Sequence, residues 1–347
     1  MTAIRVKNYK LPVIRAGWKG NLFEDGDRFV NEEFPFTPDF RDVLKWTFQR
    51  NPQRREKARD PFRLKIVNDP SFLSSNADCI IWLGHASFYI RLGGMVMLID
   101  PVFYDVPFVK RFSKHALSPA DVGHVDYLLI SHDHRDHCQE RSIREIVQRN
   151  PQVEILTGLQ MDKLLKRWVP SAKVQCAGWY QQFRTKPNLA ICFLPTRHWS
   201  KRSYNDTNTR LWGAFTIQSS SHTLYFGGDT AYGNHFKEVA ALFPKIDVAL
   251  LGVGAYKPSW LMTHVHISPQ QAVEACNELG AAIMIPMHYG TFDLRDEPPG
   301  EPVATLIALK AQGVLKADLK FLQPGEVMPF VKDESSESGE RATPPGA

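Results

Sequence analysis

The chain has 347 residues, 43% hydrophobic and 23% charged, a balance that supports a large buried core and excludes a disordered or fibrous protein. Its net charge of +5 is uneven: residues 1–65 carry 15 Lys and Arg against 9 Asp and Glu, which leaves the other 282 residues at −1. A nearly neutral main body speaks against a nucleic-acid-binding face, and no added nucleic-acid-binding motif is present. Five cysteines, Cys79, Cys138, Cys176, Cys192 and Cys276, are odd in number and scattered, which argues against a disulfide framework and for a reducing compartment. The first twenty residues contain no apolar core of a leader peptide, and nowhere do eighteen apolar residues run together. The expectation is a soluble, unprocessed, cytoplasmic protein.

Residues 1–77, rich in aromatics, Pro and Arg, show little strand pattern and are expected to form an extension that packs on the main body. Thr37, Pro38 and Asp39 read as a helix start, and Phe40, Val43, Leu44, Thr47 and Phe48 then share one apolar face. That face is expected to pack inward; peripheral membrane contact is the alternative. From Cys79 the pattern changes to strands at 79–83, 87–92, 95–99 and 125–130, with Gly93-Gly94 as a hairpin turn. Helices are predicted near 139–149 and 160–167, and strands near 153–157, 189–194, 211–218 and 222–227. Helices at 233–242, 268–279 and 302–312 then alternate with buried strands at 247–253 and 281–287. This α/β series suggests sheets covered by helices, and periodicity leaves open whether one doubly wound sheet or a sandwich of two results. Residues 78–331 are therefore expected to form the catalytic domain and 332–347, which hold no apolar residue beyond Ala, a disordered tail.

The chemistry concentrates after the strand that ends at Ile130, where His132, His134, Asp136 and His137 fall within six residues. In an extended segment positions i, i+2 and i+4 share a face, so His132, His134 and Asp136 are expected to point together while His137 opens the next turn. Imidazole and carboxylate suit zinc, and a catalytic zinc keeps one position for water.

His132-x-His134-x-Asp136-His137 resembles the signature of the metallo-β-lactamase superfamily, which implies an αββα sandwich of two mixed sheets flanked by helices. Further segments, Trp82-Leu83-Gly84-His85-Ala86-Ser87, Ile99-Asp100-Pro101, His198-Trp199-Ser200-Lys201-Arg202, Gly228-Asp229-Thr230 and His288-Tyr289-Gly290-Thr291-Phe292, resemble the N-acylphosphatidylethanolamine-hydrolysing phospholipase D family in that order. The resemblance covers roughly residues 78–330. It implies two zinc ions, one on His132, His134 and His198, the other on Asp136, His137 and His288, with Asp229 between them. Iron or manganese are open as occupants. Two such ions about 3.5–4 Å apart can deprotonate a bridging water for attack on phosphorus, with Asp136, Asp229 and His266 the candidate catalytic residues. His266 matches a family histidine near the active site, and is therefore expected to contact substrate phosphate or assist proton transfer.

Around this set, Asp100 or Asp133 can orient a ligand imidazole. Lys201 and Arg202 can attract an anion or be ordinary solvated charge. His85 reads as structural or as support for a ligand, His264 as a surface residue and Cys138 as a small residue opening a helix. Three functions stay open: a phosphodiesterase for lipid-like molecules, a cytoplasmic lactonase or phosphoesterase for small phosphorylated metabolites, and a non-catalytic metal-bound module. The lipid reading requires an apolar groove at the metals and exposed aromatics within residues 34–48; the metabolite reading requires a narrow polar pocket lined by Arg or Lys. The expected partners are a lipid or small phosphodiester; nucleic acid is not expected, and a homodimer is open.

Overall fold

The computed structural model describes residues 3–24 and 27–330, so the tail expected at 332–347 lies outside the described residues. Near the N-terminus β1 (Ala3–Val6), β2 (Asn21–Glu24) and β3 (Arg28–Val30) form a small antiparallel sheet. It left no strand pattern because each strand is three or four residues long and β1 is largely exposed, so no alternation develops. The helices α1 (Phe40–Phe48) and α2 (Arg54–Arg59) follow. The α1 start is the predicted one, with the Asp39 carboxylate accepting from the Arg41 backbone N–H at 2.8 Å.

The apolar face of α1 differs from its expectation. Val43 and Leu44 are about two-fifths exposed and Phe48 is 85% exposed, so the face is turned largely to solvent. The helix is held instead through Trp46, whose Nε1 donates to Asp296 Oδ1 at 3.1 Å. The extension as a whole reaches the main core through Leu11, Phe23, Phe29 and Leu64.

The first large sheet contains β4 (Cys79–Gly84), β5 (Ser87–Leu92), β6 (Met95–Ile99), β7 (Tyr127–Ile130), β8 (Glu154–Gly158) and β9 (Lys173–Ala177), antiparallel from β4 to β6 and parallel from β6 to β9. Gly93 and Gly94, with φ of 60° and 75°, make the tight β5–β6 turn. The helices α3 (Glu140–Arg149) and α4 (Asp162–Trp168) occur within this half. The second sheet is β10 (Gln181–Gln182), β11 (Ala190–Leu194), β12 (Ala214–Gln218), β13 (Thr223–Phe226), β14 (Val248–Gly252), β15 (Ile283–Met287) and β16 (Asp318–Leu319), in that order. The helices α5 (His235–Leu242), α6 (Ser259–Met262), α7 (Pro269–Leu279) and α8 (Glu301–Ala311) accompany it. Finally β17 (Val327–Pro329) returns to pair antiparallel with β4, at the edge of the first sheet.

Two mixed sheets flanked by helices result, and the side-chain period of two explains how they stack. On β4, Ile80 and Trp82 enter the core cluster shared with the second sheet, while Cys79, Ile81 and Leu83 enter a second cluster with residues of α3 and α4. On β7, Tyr127 and Leu129 divide from Leu128 and Ile130 in the same way. Strands buried on both faces read as continuous apolar runs, which is why periodicity could not choose between a single sheet and a sandwich. No helix among the described residues is long and apolar enough to cross a membrane.

Candidate metal centre

The site sits where strands end. The chain leaves β7 into His132–His137, β11 into His198, β13 into Asp229 and β15 into His288, and the β4–β5 turn supplies His85. After His134 the chain stops being extended: the backbone N–H groups of His137 and Cys138 both donate to His134 O, at 3.1 and 2.7 Å. The expected common face of His132, His134 and Asp136 is therefore broken by a turn, and two groups form. In the first, His134 Nδ1 lies 2.9 Å from His132 Nε2 and 3.2 Å from His198 Nε2, with Asp229 Oδ2 at 3.7 Å from His198 Nε2 and 3.9 Å from His132 Nε2. In the second, Asp136 Oδ2 lies 3.0 Å from His85 Nε2, 3.9 Å from His288 Nε2 and 4.0 Å from His137 Nε2. Asp229 stands between them, its Oδ2 at 3.2 Å from His137 Nε2 and its Oδ1 at 3.2 Å from His288 Nε2.

Such a constellation fits cations better than it fits itself. His137 Nε2, Asp229 Oδ1 and His288 Nε2, three atoms that face the centre, are buried without a hydrogen-bond partner among the described residues, a cost that an interior tolerates when something else completes those atoms. The nitrogen spacings of the first group approach the edge of about 3.3 Å expected for a tetrahedron with metal–nitrogen bonds of about 2.0–2.1 Å. Within each group the ligand atoms all lie within 4.8 Å of one another. Burial pushes the imidazoles of His134 and His198 down, to about 4 and about 3, so both are neutral, the form that binds metal. Burial and the neighbouring histidines hold His132 neutral as well. Burial also opposes charge on Asp136 and Asp229, but the bond from His85 to Asp136 and the charge of His137 outweigh it and hold both carboxyls well below the usual range. Unlike His132, His134 and His198, His137 is itself held well above the usual range, against its burial, by Asp229 and Asp100.

A supporting layer fixes the rings. His137 Nδ1 is 2.8 Å from Asp100 Oδ2, and the fully buried Asp100 also accepts from the backbone and hydroxyl of Ser131, whose hydroxyl lies 2.9 Å from His132 Nδ1. His198 Nδ1 lies 2.9 Å from Val265 O. Asp133, the other residue considered for this task, pairs with Arg210 Nε at 2.6 Å, accepts from the Lys201 backbone N–H and, among the described residues, meets no histidine. His85, Asp100 and His288 all have φ between 42° and 65°, a sparsely occupied region for residues with a Cβ, and all three touch the site.

The remaining sequence candidates separate cleanly. His266 Nδ1 comes within 4.0 Å of Asp229 Oδ2, whereas His264 stacks on Phe36. Arg202 donates to the carbonyls of Asp133 and Cys138 and so acts as a structural tie, while Lys201 lines the groove above the centre. Cys138 is fully buried, and burial pushes its thiol up to about 12. Arg295, which no motif marks, also lines that groove. The groove encloses about 350 Å³, with His134, Asp136, Asp229 and His288 in its floor and Phe36, Val43, Val106, Trp199, Met262 and Leu294 among its walls. His266 also lines a neighbouring cavity of about 580 Å³ bounded by Tyr256, Trp260 and Gln271.

Residues 96–289 match the family described as the Beta-lactamase superfamily domain. An uncharacterized protein of Mycobacterium tuberculosis is 33% identical over 241 residues, 66% of this chain, and the chain spans 63% of that relative's length. The N-acyl-phosphatidylethanolamine-hydrolyzing phospholipase D 1 of Caenorhabditis elegans is 28% identical over 296 residues, covering 79% of this chain and 82% of that one. Among solved structures, Igni18, a metallo hydrolase from the archaeon Ignicoccus hospitalis, shares the fold with a TM-score of 0.57 at 22% identity, over 74% of this chain and 99% of its own.

Proposed function

The chain belongs to the metallo-β-lactamase superfamily; from that premise we propose that it is a metal-dependent hydrolase, a binuclear zinc phosphodiesterase of phospholipase D type acting on N-acylphosphatidylethanolamine-like lipids. The observation that carries the substrate class is the groove: its floor is the metal centre, its walls are mostly apolar with Arg135, Lys201 and Arg295 among them, and it includes Val43 of α1, the helix that also exposes Leu44 and Phe48. An apolar wall above a polar floor suits a molecule with a phosphodiester between hydrocarbon and a polar group. The name of the nematode relative, similar over most of both chains, points the same way.

In this reading His132, His134 and His198 hold one zinc, Asp136, His137 and His288 the other, and Asp229 reaches both. Two divalent cations so held supply Lewis-acid polarisation of phosphoryl oxygens and lower the pKa of water toward neutrality. The chain's own residues do the rest. Asp100 and Val265 O fix the rings of His137 and His198. His85 orients the Asp136 carboxylate from 3.0 Å. His266, in the wall of the groove, is positioned to contact the substrate phosphate or to exchange a proton at the oxygen that departs. The apolar rim brings the protein onto a membrane surface from the cytoplasm, with Phe48 and Leu44 entering the interface.

The test is hydrolysis, by protein of known zinc content, of micellar N-acylphosphatidylethanolamine and of soluble bis(p-nitrophenyl) phosphate in parallel, each with an Asp229→Asn control. Cleavage of the lipid by the wild type, lost in the variant, is the expected outcome. Cleavage of the soluble diester alone would retain the phosphodiesterase and discard the lipid.

A further inference from the structure

Arg295 stands in the wall of the groove, half-buried, beside the centre and outside both ligand groups. Its guanidinium carries five N–H donors, and the protein engages few of them. Nη1 donates to Leu294 O at 2.7 Å, Nε meets the weak acceptor Met262 Sδ at 3.2 Å, and Cζ lies 5.0 Å from the centre of the Trp46 ring. Among the described residues no carboxylate oxygen comes within the 4.0 Å of an ion pair. The adjacent acids are committed elsewhere: Asp296 accepts from Trp46 Nε1, and Glu297 from the backbone N–H groups of Ala255 and Lys257.

A half-buried cation without a counterion is costly unless an anion completes it. Burial disfavours its charge; beside Glu297 and Asp296, the field that favours the charged form comes from Asp136 and Asp229. Both are ligands in the centre proposed above, so cations bound there would spend that field. What the wall then lacks is an oxyanion. A phosphodiester carries two non-bridging oxygens, one of which can face the centre while the other faces the wall, and a guanidinium pairs with phosphate oxygens through parallel N–H bonds. The carbonyl of a lactone or neutral ester offers no charge to pair.

We propose that Arg295 is a specificity-determining residue that receives an anionic oxygen of the substrate phosphate and so favours phosphodiesters over neutral esters at the same centre. The identity of the anion rests on the phosphodiesterase reading; the need for one rests on the unpaired guanidinium.

The experiment compares zinc-loaded wild type with Arg295→Ala and Arg295→Lys at equal metal content. Calorimetric titration with inorganic phosphate reads binding, and steady-state hydrolysis of bis(p-nitrophenyl) phosphate against neutral p-nitrophenyl acetate reads selectivity. Arg295→Ala is expected to weaken phosphate binding by about ten- to a hundredfold, the worth of one charge-assisted hydrogen bond. It should raise KM for the diester by a similar factor and lower the ratio of diester to neutral-ester turnover, with Arg295→Lys intermediate. Phosphate affinity equal to wild type, or a proportional loss on both esters, would overturn the proposal. Should Arg295→Ala not fold, Arg295→Gln removes the charge while keeping a donor for Leu294 O. If the wild type cleaves no phosphodiester, the phospholipase reading falls, and the phosphate titration still decides the role of Arg295.

Discussion

The floor of the groove and its rim are built by opposite means. On the floor every ligand candidate sits just beyond a strand, is buried or nearly so, and in several cases is held from behind: His137 by Asp100, His198 by Val265 O, Asp136 by His85. On the rim, α1, the loop around Val106 and the short helix α6 with Leu261 present apolar side chains to a cavity open to solvent; Phe48 is 85% exposed and Phe108 fully so. The difference separates two decisions. Strand ends fix which reaction class is available, and the loops above them fix what reaches the centre.

If the floor is preorganised from behind, Asp100→Asn should be the most damaging change among residues that are not ligands. The amide cannot accept from His137 and from both groups of Ser131 as a carboxylate does, so zinc affinity should fall about 10–100-fold, measured by competition with a chromogenic chelator. An unchanged affinity would mean that the ligands hold themselves.

A backbone change should cost less but reach the same point. A Cβ at Gly254 would lie 2.0 Å from His288 O, so Gly254→Ala must displace the segment that carries His288. The expected loss is about 1–3 kcal/mol of stability, visible as a lower thermal midpoint accompanied by weaker metal binding. Full retention of both would show that the floor yields where it is described as rigid.

The rim should respond more weakly and differently. Phe48→Ser removes an exposed aromatic whose complete burial would be worth about 1.5–3 kcal/mol, so partitioning onto anionic lipid vesicles in a sedimentation assay should weaken by about tenfold. Hydrolysis of a soluble diester should stay at the wild-type level. Equal loss on both would tie α1 to the centre and dissolve the distinction between floor and rim.

The same contrast explains what could be read from the sequence. His132 to His137 is a dense cluster behind a buried strand, and the segments around His198, Asp229 and His288 carry their residues to the same place. The strands from Cys79 to Met287 were legible because their apolar runs are bounded by turn residues, although Lys173–Ala177, with partly exposed residues, was missed, as were the very short strands. What stayed hidden depends on three dimensions. The turn that parts Asp136 from His132 and His134 is invisible to alternation, although the resemblance already assigned Asp136 with His137 and His288. The outward-turned α1 is tied down by contacts distant in sequence, among them the bond between Trp46 and Asp296, 250 residues apart, and Lys45 over the Trp260 ring. Arg295 belongs to no motif, and only the fold brings it over the centre.

The central claim is that two metal ions share Asp229. Metal-free protein reloaded with zinc and freed of excess should retain two equivalents by elemental analysis, and Asp229→Asn should retain fewer while losing hydrolysis. A fully active wild type that keeps one equivalent or less would contradict the account.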